Sequence, residues 1–229
     1  SEIFNQPVGL YTLFFTELWE RFSFYGMKCI LMVFMTKHIV DSQGQLSAMS
    51  KEEATYYYHL FTSAVYFTPF FGAIISDAFF GKYKTILALS IVYCMGHFAL
   101  ALDETRLGLM IGLTLISIGA GGIKPCVSAH VGDQFGKTNS HLLEKVFSWF
   151  YLSINLGAFI STMLTPILLH LYGPSIAFGV PGLLMLIATV VFWMGRNVFI
   201  HVPPSGVDFI KETFSREGFN AILKLTPIY

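Results

Sequence analysis

The sequence predicts an all-α membrane protein built on six transmembrane helices. Of its 229 residues 54% are hydrophobic and only 12% are charged, where soluble globular chains carry roughly a quarter charged residues. The mean hydropathy is +0.62. Six apolar runs each have the roughly 17 to 25 residues that span a bilayer, at residues 10–37, 56–80, 85–102, 107–129, 146–171 and 178–199. This balance argues against a soluble enzyme, a disordered chain or a nucleic-acid binder.

The first run exceeds the roughly 7 to 15 apolar residues of a signal-peptide core, and no Lys or Arg lies in residues 1–9. It is expected to be a span, not a removable leader. Inside it, Glu17, Glu20, Arg21, Phe24 and Lys28 follow i, i+3, i+4, i+7, i+11 spacing, which gathers them on one helical face. An ionisable group in the hydrocarbon region costs at least about 2.5 to 3.5 kcal/mol and normally faces a bundle interior or an aqueous path. Two carboxylates beside one guanidinium form a coupled titrating group, suited to a proton-operated switch or to a static ion-pair network.

The second run carries His59, Thr62, Ser63 and Tyr66 along a polar stripe, then Pro69 and Gly72. His59 can titrate near neutral pH or serve as a packing residue. The turn to the third run holds Asp77, Gly81, Lys82 and Lys84, able to latch adjacent helices or to act as a topology anchor. In the fourth run, Gly119, Gly121 and Gly122 permit close helix contact. Lys124-Pro125 follows, expected to interrupt the helix beside a cavity with the ammonium needing a carboxylate. Ser148, Tyr151 and Asn155 form a stripe on the fifth run, open to a polar solute or to a neighbouring helix.

Polar links are expected at residues 40–53 and 130–145, and tight hairpins at 103–106 and 172–175. Pro203-Pro204 ends the bundle, which occupies residues 1–200; residues 201–229 form a linker, with 207–225 amphipathic like an interfacial helix. With a cytoplasmic N-terminus, Lys82, Lys84, Lys137, Lys145, Arg196, Lys211, Arg216 and Lys224 fall inside, and Lys37, Lys51 and Arg106 outside, as the positive-inside rule asks. Cys29, Cys94 and Cys126 are too far apart for a C-x-x-C site and are expected to be buried free thiols. No H-E-x-x-H or G-x-S-x-G motif appears, so no enzymatic activity is expected.

Glu17-Leu18-Trp19-Glu20-Arg21-Phe22-Ser23-Phe24-Tyr25, with Lys28, resembles the ExxERFxYY signature of the proton-dependent oligopeptide transporters, a family within the major facilitator superfamily. Tyr58-His59, Tyr66-Phe67-Thr68-Pro69, the segment Gly119 to Ala129, Gly132-Asp133-Gln134-Phe135 and Phe150 to Gly157 are similar to its other signatures, in the same order. The resemblance covers about residues 10–200. It implies the amino-terminal six-helix half of a major facilitator fold, of the histidine-bearing branch, in a cell membrane. It implies symport of di- and tripeptides with protons as the coupling ion and no other cofactor, and a carboxy-terminal half as partner.

Glu17, Glu20, Arg21 and His59 would serve proton coupling. Arg21, Tyr25, Lys28, Tyr66, Lys124, Tyr151 and Asn155 would border the peptide, while Asp77, Gly81, Lys82, Lys84 and Lys124 would gate. Phe24 stands where the signature has tyrosine, and Lys28 where arginine is common, which removes a hydroxyl and a bidentate fork. A nitrate or other small-anion carrier, or a non-transporting peptide sensor, is the alternative.

Overall fold

The computed structural model describes residues 2–3, 6–137 and 139–225. Six long helices form the body: α1 Val8–Lys37, α2 Lys51–Ile74, α3 Lys82–Leu102, α4 Arg106–Asp133, α5 Leu143–Tyr172 and α6 Pro174–Met194. Two short ones follow, α7 Val207–Thr213 and α8 Arg216–Leu225. A minimal antiparallel ladder pairs Glu2–Ile3 (β1) with Gln6–Pro7 (β2) ahead of α1, where the sequence carries no strand signal. Five helical stretches are long and apolar enough to cross a membrane; α1, with 30 residues, is equally long and set apart by its charges.

Helix ends follow local chemistry and extend the expected boundaries. Ser50 caps α2 by accepting the Glu53 N–H at 3.1 Å, which starts the helix five residues before its apolar run. A π-helical turn at Ile75–Phe80 continues α2. Thr105 caps α4, accepting the Gly108 N–H at 3.4 Å. Asp103, in the hairpin before it, takes hydrogen bonds from Thr105 that hold its carboxyl below the usual carboxylate range. Gly173, at φ 84°, makes the left-handed turn from α5 into Pro174, the first residue of α6.

Around the bundle the packing order is α2, α4, α3, α6, α1, α5. Helices α2 and α5 end the row, and α1 also touches α2 and α4 across it. The apolar stretch of α4 is 61% buried, against 22% for each of α2 and α5, so those two expose long faces. The core runs through Met27, Ile30 and Phe34 of α1, Tyr93 of α3, Ile116 of α4 and Phe178 of α6.

Three expectations change. Helix α4 runs unbroken through Pro125. An interior proline removes one N–H from the ladder and crowds the carbonyl four residues before it, and the glycines before it let α2 and α3 clamp both sides: a β-carbon on Gly121 would collide with Thr68 of α2 and one on Gly122 would meet Leu89 of α3 at 2.8 Å. Cys29 is exposed, on an α1 stripe with Val33 and Lys37, whereas Cys94 and Cys126 are buried. The segment 207–225 forms two helices rather than one, broken at Phe214-Ser215. Residues 226–229 and the Lys224 side chain lie outside the described residues, as does Thr138.

Candidate functional site

The charged stripe of α1 faces the bundle interior. Glu17, Glu20 and Arg21 are all buried, at 7%, 2% and 6% exposure. Arg21 donates through Nε and Nη2 to the two carboxylate oxygens of Glu20, a bidentate pair. Its Nε lies 3.4 Å from Glu17 Oε1. One guanidinium thus holds two carboxylates of different commitment, Glu20 by a fork and Glu17 by one longer contact.

Beside Arg21 opens a cavity of about 80 Å³, lined by Phe24, Tyr25 and Lys28 of α1, Thr62, Val65 and Tyr66 of α2, and Ala120 and Lys124 of α4. The side-chain spacing of each helix brings these together from three elements. Arg21 stacks over Phe24 at 5.2 Å and Tyr25 at 5.8 Å, and Lys28 lies 5.9 Å from Phe24 and 5.7 Å from Tyr58. Lys124 Nζ sits 5.4 Å from the Tyr66 ring centroid. Among the described residues neither lysine has an ion pair, and Lys124 is exposed. Lys124 thus has no ion-paired carboxylate among the described residues: Glu17 acts on it electrostatically without pairing, and its ammonium lies over the Tyr66 ring.

The expected set divides here. Arg21, Tyr25, Lys28, Tyr66 and Lys124 share the cavity wall. His59 does not line it; it is exposed two turns before Tyr66, beside Ser63 and Lys51 in an open hollow of α2. Tyr151 and Asn155 are exposed on α5, and the Asn155 amide donates to the Tyr151 carbonyl of its own helix at 2.9 Å. Ser148 likewise donates within α5, to the Glu144 carbonyl.

At the lysine-rich end, the α2–α3 turn forms a separate cluster. Gly81, at φ 78°, reverses the chain after the π-turn and begins α3. Lys82 Nζ pairs with Asp133 at 2.9 Å and reaches Asp77 at 4.0 Å, which ties α3 to the end of α4. Asp77, Gly81 and Lys82 lie together as their shared turn implies, whereas Asp133 carries one sequence signal only, its place in the Gly132-to-Phe135 segment. Lys84 is exposed outside this ion-pair cluster, and Lys124 belongs to the other site. At the opposite end, Arg106 forks onto the Glu53 carboxylate, with Nη2 to Oε2 at 3.2 Å, and joins α4 to α2.

A six-helix membrane bundle with a charged interior stripe, opening on a polar cavity beside exposed helix faces, defines the class: a half of a major facilitator transporter fold. Residues 83–226 match the PTR2 model, the POT family, and the chain belongs to that family. It is 43% identical over 218 residues to human solute carrier family 15 member 2, covering 88% of this chain and 29% of that protein. It is 41% identical over 215 residues to peptide transporter family 1 of Drosophila melanogaster, covering 87% and 28% respectively. The crystal structure of the POT family transporter PepTSo superposes with a TM-score of 0.81 at 45% identity, covering 87% of this chain and 39% of that one. The chain thus spans less than a third of the length of these curated relatives.

Proposed function

We propose that this chain forms the amino-terminal bundle of a proton-coupled symporter of di- and tripeptides that works by alternating access in a cell membrane, with its N-terminus in the cytoplasm. Residues 1–200 form the bundle, and residues 201–229 lead toward a second six-helix half. The observation that carries the proposal is the Glu17–Glu20–Arg21 cluster, whose Arg21 lines a cavity with two lysines that form no ion pair among the described residues.

A short peptide is a zwitterion. Its carboxylate meets Lys28, Lys124 or the Arg21 guanidinium, while Tyr25 and Tyr66 flank the remainder. Protonating Glu20 removes the charge that engages Arg21 and frees the guanidinium for the peptide carboxylate. Deprotonation restores the internal pair and expels the ligand. Such differential pairing biases the equilibrium between access states, which is all that a coupling ion has to do.

The experiment is uptake of a labelled dipeptide into liposomes holding the full-length protein, with an inward proton gradient. Accumulation that collapses with the gradient and resists nitrate supports the reading. Gradient-independent uptake, or competition by nitrate and not by dipeptides, assigns the lysines to direct anion carriage instead.

A further inference from the structure

The lysine-rich end of the bundle holds a second cavity, separate from the one between α1, α2 and α4. Its volume is about 360 Å³; it lies between the start of α3, the end of α4 and the strap 201–204, and its walls include Lys82, Tyr83, Lys84, His130 and His201. No lining residue is acidic. The strap is pinned by the Ser205 N–H, which donates to the Asp77 carbonyl at 2.8 Å.

The first turn of α3 faces this space without a cap. Gly81 supplies no side chain, and the first intrahelical bond is donated by Thr85 to the Gly81 carbonyl at 3.2 Å. The N–H groups of Lys82, Tyr83 and Lys84 precede that bond, so they have no intrahelical acceptor, and they form the positive end of a helix of 21 residues.

An independent observation points the same way. His130 is 1% exposed and lines the cavity, and among the described residues its Nε2 has no hydrogen-bond partner and the buried Tyr83 hydroxyl has none either. A buried polar group left unpaired is destabilising, a cost that a bound acceptor would remove. Lys82 is committed to Asp133 and Asp77, and His201 Nε2 to the Arg196 carbonyl at 2.8 Å. Lys84 is exposed beside the cavity with no ion pair among the described residues.

We propose that this cavity binds a phosphate-class anion. The donors are the α3 amides, His130 Nε2 and the Tyr83 hydroxyl, and Lys84 supplies the uncommitted charge. The headgroup of an acidic phospholipid and free phosphate offer the same oxygens, and a site at a bundle end is within reach of either.

The test uses the full-length protein, delipidated in a non-ionic detergent. It is titrated at fixed ionic strength with phosphatidylglycerol, with phosphatidylcholine or with inorganic phosphate, and read by thermal unfolding and by native mass spectrometry of bound ligand. A rise in melting temperature with phosphatidylglycerol alone identifies the headgroup; a rise with inorganic phosphate identifies the soluble ion. Either supports the site when Lys84→Gln and His130→Leu move the midpoint by about tenfold or more, as loss of one hydrogen bond to a charged group does, and Lys145→Gln does not. Lys84→Gln changes an exposed side chain and decides the matter where His130→Leu does not fold. No rise with any probe, or a rise unchanged by Lys84→Gln, overturns the proposal.

Discussion

Arg21 holds two carboxylates unequally, and that inequality makes Glu20 the one to test. Glu20 takes two hydrogen bonds from the guanidinium, from Nε and Nη2, and Glu17 touches only Nε at 3.4 Å. Glu20→Gln keeps the shape and removes the charge. Gradient-driven dipeptide accumulation by the full-length protein is then expected to fall to background, while exchange of internal for external peptide persists because the cavity wall is intact. Accumulation at the wild-type level would remove Glu20 from coupling. His59, exposed on α2 outside the cavity, is expected to act through a group facing α2, so His59→Asn should lower gradient-driven uptake by the full-length protein; unchanged uptake removes it from coupling. The charged stripe was legible in the sequence because helical spacing alone aligns residues 17, 20, 21, 24 and 28. The Lys82–Asp133 pair was not: its members lie on different helices, and no periodicity relates two charges brought together only by tertiary packing.

Helix α4 shows how glycine and proline can be misread from sequence. Glycines followed by Lys124-Pro125 looked like a break, yet their lack of side chains lets α2 and α3 approach closely enough to hold the helix straight through. The tightest approach of backbone to backbone is Gly72 of α2 on Gly122, where a β-carbon on Gly72 would collide with the Gly122 carbonyl oxygen. Backbone on both sides cannot yield as a side chain could. Gly72→Ala is therefore expected to destabilise the protein by about 1 to 3 kcal/mol, the usual cost of an overpacked interior. Gly132, also in α4, is the control: a β-carbon there meets nothing within 4 Å, and alanine in a helix is favoured over glycine by about 0.5 to 1 kcal/mol. Thermal unfolding in detergent should order the proteins Gly72→Ala below wild type, with Gly132→Ala at or above it. Equal melting temperatures for the two variants would mean that the α2–α4 contact is looser than the structure places it.

The chain taken whole carries as many basic as acidic residues, yet the interior charges of its bundle are unbalanced and the bundle is open on one side. Glu17 and Glu20 oppose Arg21, Lys28 and Lys124, so one positive charge is in excess, and the ion pairs seen use only Arg21. A charge left unpaired in a dry interior is strongly destabilising. Lys28 and Lys124 instead line an open cavity, next to long uncovered faces of α2 and α5 on which Tyr66 is 70% exposed and Tyr151 60%. Those faces are expected to meet the second bundle, and its acidic side chains to meet Lys28 or Lys124 in one access state. A peptide carboxylate or a proton then releases the pair and lets the pathway open. Lys124→Ala in the full-length protein should abolish gradient-driven uptake. Lys124→Arg should retain part of it, because the charge survives while a planar fork replaces a compact ammonium. The 229-residue chain reconstituted by itself is expected to accumulate no dipeptide, because on the proposed reading a second bundle supplies one wall of the pathway and the counter-charges. Robust accumulation by that chain in liposomes, or full activity of Lys124→Ala, would show that the excess charge is not the contact that closes the pathway.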